Sequence, residues 1–274
     1  MSQLVSATEL SDLIRAEGVR VLDVRWKLGR SDGRDEYLAG HVPGAVFVDV
    51  KQDLSRPGAP DEGRHPLPST EHLQDAARRW GLDDGDVVVV YDDAGGTPAA
   101  RAWWLLRHGG ADVRVLDGGW AAWKAAGGDV ESGSAEYSRG QVTLMDISGD
   151  SLTIDEVAAF PEGGVLLDVR APERFRGESE PMDPIAGHIP GAVNLPTTLH
   201  TDEDGMLRDA DALRATFADA GVTAGTPVAA YCGSGITAAH TALVLAEVGI
   251  DAQLFHGSWS QWSNTPGRPV ATGE

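Results

Sequence analysis

Cysteine is all but absent: the 274 residues contain one, Cys232. A single thiol excludes any disulfide within the chain, and with it the small secreted scaffolds that disulfides hold together. Long hydrophobic runs are missing too. No stretch approaches the roughly 18 apolar residues of a membrane span. The opening segment MSQLVSATELSDLIRAEG has neither the basic region nor the apolar core of a secretory leader. A soluble cytoplasmic protein without membrane contact is the expectation. Positive charge is the third shortage: Lys and Arg number 22 against 42 Asp and Glu, a formal net charge of −20. Such a field repels nucleic acid and anionic lipid, so neither is an expected partner. Most of the acidity reads as solvated surface, and an anionic substrate would need a local cluster of arginines to overcome it.

What the sequence does contain is a duplication. VLDVR at 21–25 returns as LLDVR at 166–170, and AGHVPGAV at 39–46 returns as AGHIPGAV at 186–193. VVVVYDDAGG (87–96) then matches PVAAYCGSGI (227–236), and LDGGWAAW (116–123) matches FHGSWSQW (255–262), in the same order. Two copies of one domain follow, 1–135 and 150–274. The polar, glycine-rich GGDVESGSAEYSRGQ (127–141) has the composition of a linker.

Within each copy, short apolar runs alternate with helical patterns, the signature of an α/β fold with a parallel sheet flanked by helices. In the second copy the pattern predicts strands at Val165–Val169, Ala192–Leu195, Pro227–Tyr231 and Ala252–Phe255. Helices are expected over Ile154–Phe160, Asp211–Ala220 and Ile236–Val248, with a short one near Trp259. Ser6 with Glu9, and Thr153 with Glu156, have the spacing of capping boxes that open each copy.

Cys232 falls where such folds bind ligands, between the carboxyl end of a strand and a helix. Gly233 and Gly235 let the backbone curl, so that the loop from Cys232 through Ser234 and Ile236 to Thr237 can aim amide N–H groups inward. Such a nest favours an anion, a thiolate included. Cys232 therefore reads as a nucleophile rather than as a small buried hydrophobe.

The LDVR, GHIPGAV, YCGSGIT and GSW elements together resemble the two-domain rhodanese-type sulfurtransferases, and the likeness covers nearly the whole chain. The CGSGxT loop is similar to the 3-mercaptopyruvate sulfurtransferases of that group. The resemblance implies two tandem rhodanese-like domains, of which the first has lost its cysteine: Asp92 stands where the second has Cys232. It implies a transferase without metal or cofactor. Sulfur passes from a small-molecule donor, 3-mercaptopyruvate, to a Cys232 persulfide with release of pyruvate, and then to a thiol, thioredoxin or a smaller one, or to cyanide in an assay. It further pairs Ser234 with His65 of GRHPLP as a proton relay. The family's acidic relay member aligns with Lys51, so Asp49 or Asp53 would have to substitute. The resemblance of ERFRG to a family segment points to Arg174 for the substrate carboxylate, with Arg176 beside it. The family's second arginine, slightly downstream, has no clear match in ESEPMDPIAG.

Asp23 and Asp168, His41 and His188, and Arg25 and Arg170 occur in both copies, which points to the fold rather than to chemistry. Thiosulfate is the alternative donor, disfavoured because Gly233 and Ser234 bring no charge to bind a dianion. A phosphatase of the Cys-x5-Arg type fits poorly, since Ala238 occupies the arginine's place. A non-catalytic sulfur carrier or regulatory protein is the remaining alternative.

Overall fold

The computed structural model describes residues 2–274. Its contacts divide the chain into two units, Met1–Ser55 with Pro68–Ser148 and Glu203–Leu207, and Arg56–Leu67 with Gly149–Asp202 and Arg208–Glu274.

In the first unit the elements run β1 (Leu4–Val5), α1 (Ala7–Arg15), β2 (Val19–Asp23), α2 (Gly33–Ala39), β3 (Val46–Phe47), α3 (Thr70–Arg79), β4 (Val87–Tyr91), α4 (Thr97–His108), β5 (Asp112–Leu116) and α5 (Gly119–Ala125). The sheet order is β1-β5-β4-β2-β3, with every pair parallel. The central strand β4 reads VVVVY without alternation, as a strand covered on both faces does. Its Val89 and Tyr91 join Leu10, Val21, Leu116 and Trp123 in the core.

The second unit repeats the plan with α6 (Ile154–Ala159), β6 (Val165–Asp168), α7 (Pro172–Phe175), β7 (Val193–Asn194), α8 (Ala210–Asp219), β8 (Val228–Tyr231), α9 (Thr237–Glu247), β9 (Gln253–Leu254) and α10 (Ser258–Asn264). Its sheet is β7-β6-β8-β9, again all parallel. Ser151 adds a parallel bridge to Leu254, in the place β1 takes beside β5. The fold class is the expected one, and the expected strands and helices are all present, most of them shorter at their ends and α8 shifted by one residue toward the N-terminus. α7 was not anticipated; Pro172 opens it, with φ already set for a first helical turn. Both capping boxes form: the Ser6 and Thr153 hydroxyls accept from the Glu9 and Glu156 N–H groups, and each glutamate accepts in return from the cap's N–H at 2.8 Å.

The residues shared by the two copies make the same buried cluster twice. Arg25 Nη2 donates to Asp23 and to the Gly40 carbonyl at 2.6 Å each, and Arg170 Nη2 does the same with Asp168 and Gly187. His41 and His188 each turn Nδ1 to a backbone carbonyl, of Tyr37 and Phe175. The linker-like stretch has no helix and only an isolated bridge, yet it is tied down along the first unit. Ala135 N–H donates to Tyr37 Oη and Gly140 N–H to the Arg78 carbonyl, so its backbone finds partners despite lacking periodicity.

Candidate active site

Strand β8 ends at Tyr231, and Cys232 is the next residue, its side chain buried. The Gly235 N–H donates to Cys232 Sγ at 3.1 Å, which closes the loop onto the sulfur. Gly235 sits at φ +77°, and a Cβ there would lie 2.2 Å from the His256 carbonyl oxygen, so both conformation and space require glycine. Gly233 is different: a Cβ on it would meet the guanidinium nitrogens of Arg64 at 3.1 Å and Arg174 at 3.4 Å. Its smallness therefore makes room for two cations. Ile236 is the N-cap of α9 and Thr237 its first residue, with no side chain capping the helix. The positive end of the helix therefore faces the loop, with the Ala239 N–H already taken by the Ile236 carbonyl at 3.2 Å.

The first copy shows what such a loop holds. There the Asp92 carboxylate accepts from the N–H groups of Ala94 (2.8 Å), Gly96 (2.9 Å) and Ala99 (2.8 Å). Complete burial outweighs these three donors and raises the Asp92 pKa to about 6. A carboxylate oxygen stands two bonds from Cβ, as the outer sulfur of a cysteine persulfide would.

His65 lies in the second unit with Cys232, because residues 56–67 pack there. Its Nδ1 is 2.9 Å from Ser234 Oγ, so the two residues paired by resemblance are in hydrogen-bond contact. Asp49 and Asp53, the suggested acidic members, are engaged within the first unit. Asp49 Oδ1 accepts from the N–H of Lys51 at 2.8 Å, and Asp53 pairs with Arg79 at 2.7 Å.

Arg174, on α7, turns Nη1 toward Gly233 but gives its Nε and Nη2 to Glu180, at 3.2 and 2.6 Å. The edge of the guanidinium best suited to fork a substrate carboxylate is thus already occupied. Arg176 places Nε and Nη2 on Glu178 at 2.8 and 2.9 Å near the surface, and among the described residues no hydrogen bond or ion pair joins it to the loop.

Three residues of this site escaped the sequence reading. Arg64, the neighbour of His65 in GRHPLP, donates from Nη2 to the Gly233 carbonyl at 3.1 Å and from Nη1 to Asp183. That adjacency to His65 was the available signal. Asp183 lies in the segment searched for an arginine, and supplies a counter-ion instead. Ser258 opens α10 with φ +54°, a left-handed conformation rare outside glycine. Its fully buried Oγ accepts from the Cys232 N–H at 3.1 Å, donates to the Phe255 carbonyl at 2.9 Å, and stands 3.9 Å from Sγ. The first copy gives the same conformation, φ +52°, to Gly119.

Comparison with known proteins bears on the fold and the activity. The rhodanese-like domain family matches twice, over residues 6–126 and 153–265. The chain is 47% identical to a putative thiosulfate sulfurtransferase, SseB, of Mycobacterium tuberculosis, over 98% of this chain and 97% of that protein. It is 42% identical to a probable 3-mercaptopyruvate sulfurtransferase of Pseudomonas aeruginosa, over 100% and 99%. Among solved structures, the 3-mercaptopyruvate sulfurtransferase from Leishmania major superposes with a TM-score of 0.86 at 30% identity, covering 97% of this chain and 75% of that one. With its duplicated parallel sheets and one cysteine-bearing loop, the chain belongs to the rhodanese-like family and is a sulfurtransferase.

Proposed function

We propose that the chain takes sulfur from 3-mercaptopyruvate and delivers it to a thiol through a persulfide on Cys232. The observation that carries this reading is a single sulfur that accepts the Gly235 N–H of its own loop, with the guanidinium groups of Arg64 and Arg174 beside Gly233. The Cys232 thiolate attacks the donor's thiol sulfur, and the carbon–sulfur bond breaks. Its electron pair leaves on carbon as the enolate of pyruvate. The thiol proton passes through Ser234 to His65, and a proton returns to the enolate carbon by the same path. Loop N–H groups stabilise the charge on the persulfide. An acceptor thiolate then attacks the outer sulfur, leaves as a persulfide and restores the Cys232 thiolate. Thioredoxin is the protein dithiol we assign to this step, in a cytoplasmic setting. No helix among the described residues is long and apolar enough to cross a membrane.

Arg174 and Arg64 meet the donor's carboxylate in this reading. Because Glu180 holds the Nε–Nη2 edge of Arg174, the carboxylate would bridge the Nη groups of the two arginines rather than sit in one fork. Arg176, engaged by Glu178, takes the lesser part.

A second reading has a specific observation behind it. The cations absent from Gly233 and Ser234 themselves arrive from Arg64 and Arg174, so the loop is not without charge for a dianion, and thiosulfate is the alternative donor. Steady-state kinetics with both donors decide between them. A larger kcat/KM for 3-mercaptopyruvate, with pyruvate as product, supports the first reading; a larger value for thiosulfate, with sulfite as product, replaces it. Arg174→Ala is expected to lower kcat/KM for 3-mercaptopyruvate by about 2 kcal/mol, and Arg174→Lys by less.

A further inference from the structure

The two guanidinium groups beside Gly233 share one carboxylate. Asp183 pairs through Oδ1 with Arg64 Nη1, and its Oδ2 lies 3.6 Å from Arg174 Nη2. The Asp183 side chain is 2% exposed, and Oδ2 is buried with no hydrogen-bond partner among the described residues. Its backbone N–H donates to Glu180 Oε1 at 3.2 Å, so the chain between them wraps the same cluster. Burial pushes the Asp183 carboxyl above its ordinary pKa, against the pull of Arg64.

Charge around the loop can be counted. Arg170 pairs with Asp168 at 2.6 Å and also reaches Glu180 at 3.3 Å, so Arg64, Arg170 and Arg174 stand against Asp168, Glu180 and Asp183. The two cations facing Gly233, Arg64 and Arg174, are matched by Glu180 and Asp183. The arginines and carboxylates of the cluster therefore balance, the Cys232 thiolate aside, and Asp183 is the one member in contact with both loop-facing cations. The two candidate donors differ by one charge: 3-mercaptopyruvate brings one carboxylate, whereas thiosulfate is a dianion. A balanced cluster admits the first at lower repulsive cost than the second.

We propose that Asp183 is a specificity-determining residue, which sets the charge of the arginine pair so that singly charged sulfur donors are preferred to doubly charged ones. This rests on the reading that Arg64 and Arg174 receive the donor's anionic end. It assigns Asp183 no contact with the reacting atoms.

The test is the ratio of kcat/KM for 3-mercaptopyruvate to that for thiosulfate, measured on one preparation so that any inactive fraction cancels. Asp183→Asn keeps the shape and removes one negative charge. One unit of charge acting over roughly 8 Å at an effective dielectric of about 20 to 40 corresponds to a change of about tenfold in that ratio, toward thiosulfate. Asp183→Glu keeps the charge and should hold the ratio within about twofold of wild type. If Asp183→Asn does not fold, Asp183→Ser removes the same charge and carries the same expectation. A neutral variant whose ratio stays within about twofold, or moves toward 3-mercaptopyruvate, overturns the proposal, because a merely structural residue would depress both donors alike. A wild-type protein that uses neither donor overturns the functional reading and this inference with it.

Discussion

Arg64→Ala should cost stability in a way that depends on pH. In the folded protein Arg64 is the ion-pair partner of Asp183 Oδ1, and the carboxylate side chain is 2% exposed while that of Arg64 is 25% exposed. Removing one partner of a fully buried pair costs about 3 to 5 kcal/mol. Water that already reaches Arg64 lowers the figure to roughly 2 to 3 kcal/mol. The carboxylate, left with Arg174 alone at 3.6 Å, also has an escape, because it can take up a proton. Its penalty cannot exceed about 1.4 kcal/mol for each pH unit between the buffer and the ordinary pKa of an unfolded aspartate. A carboxyl whose folded pKa lies above its unfolded value loses stability as pH rises, so the variant should be hurt more at about pH 8 than at about pH 5. Asp183→Asn in the same background removes the charge that needs a partner and should recover at least about 1 kcal/mol. Denaturant unfolding followed by tryptophan fluorescence measures all of this. A loss below about 0.5 kcal/mol at pH 8, or an equal loss at both pH values, would refute the reasoning.

Ser258 and the buried histidines give further tests. Ser258→Gly relieves a left-handed residue while Ser258→Ala does not, so the glycine variant should be the more stable by about 1 kcal/mol. Both lose the bridge from the Cys232 N–H to the Phe255 carbonyl, and both should lose about tenfold or more in kcat; activity that follows the melting temperature instead would make Ser258 a packing residue. His200 and His240 are buried side by side, with desolvation lowering their pKa values to about 3 and about 4. Each stays neutral in the folded protein while its unfolded counterpart protonates below about 6.5, so stability falls as pH drops from there toward 4. His200→Leu should flatten that slope by about 1 kcal/mol per pH unit between roughly pH 5 and 6. An unchanged slope in denaturant titrations would contradict the burial argument.

The duplication made the architecture legible, because each copy tests the other. VLDVR and LLDVR became β2 and β6, and Asp23 and Asp168 became the same buried arginine partner twice. The capping boxes were readable because their signal is local, a hydroxyl and a carboxylate three residues apart. Cys232 stood out for its setting, a strand followed by a glycine-spaced turn. What stayed hidden depends on long-range packing. Arg64 reaches the Gly233 carbonyl across 169 positions of sequence, and nothing near it says which unit residues 56–67 join. Ser258 is written as an ordinary serine; the duplication sets it opposite Gly119, a hint that backbone geometry turns into a left-handed conformation. Asp183 lies in a segment where the resemblance points to a cation, while the fold needs a counter-ion there for the cations of Arg64 and α7.

Sulfur is expected to rest on Cys232 between donor and acceptor, and intact mass spectrometry can observe it. After brief incubation with 3-mercaptopyruvate and removal of excess donor, the protein should be heavier by one sulfur atom. Pyruvate should be released in equal amount, and a thiol should return the mass to its starting value. Cys232→Ser should show no added sulfur and no pyruvate, while unfolding like wild type. Pyruvate released by Cys232→Ser at a rate near that of wild type, or turnover without any added sulfur on the wild-type protein, would contradict the account.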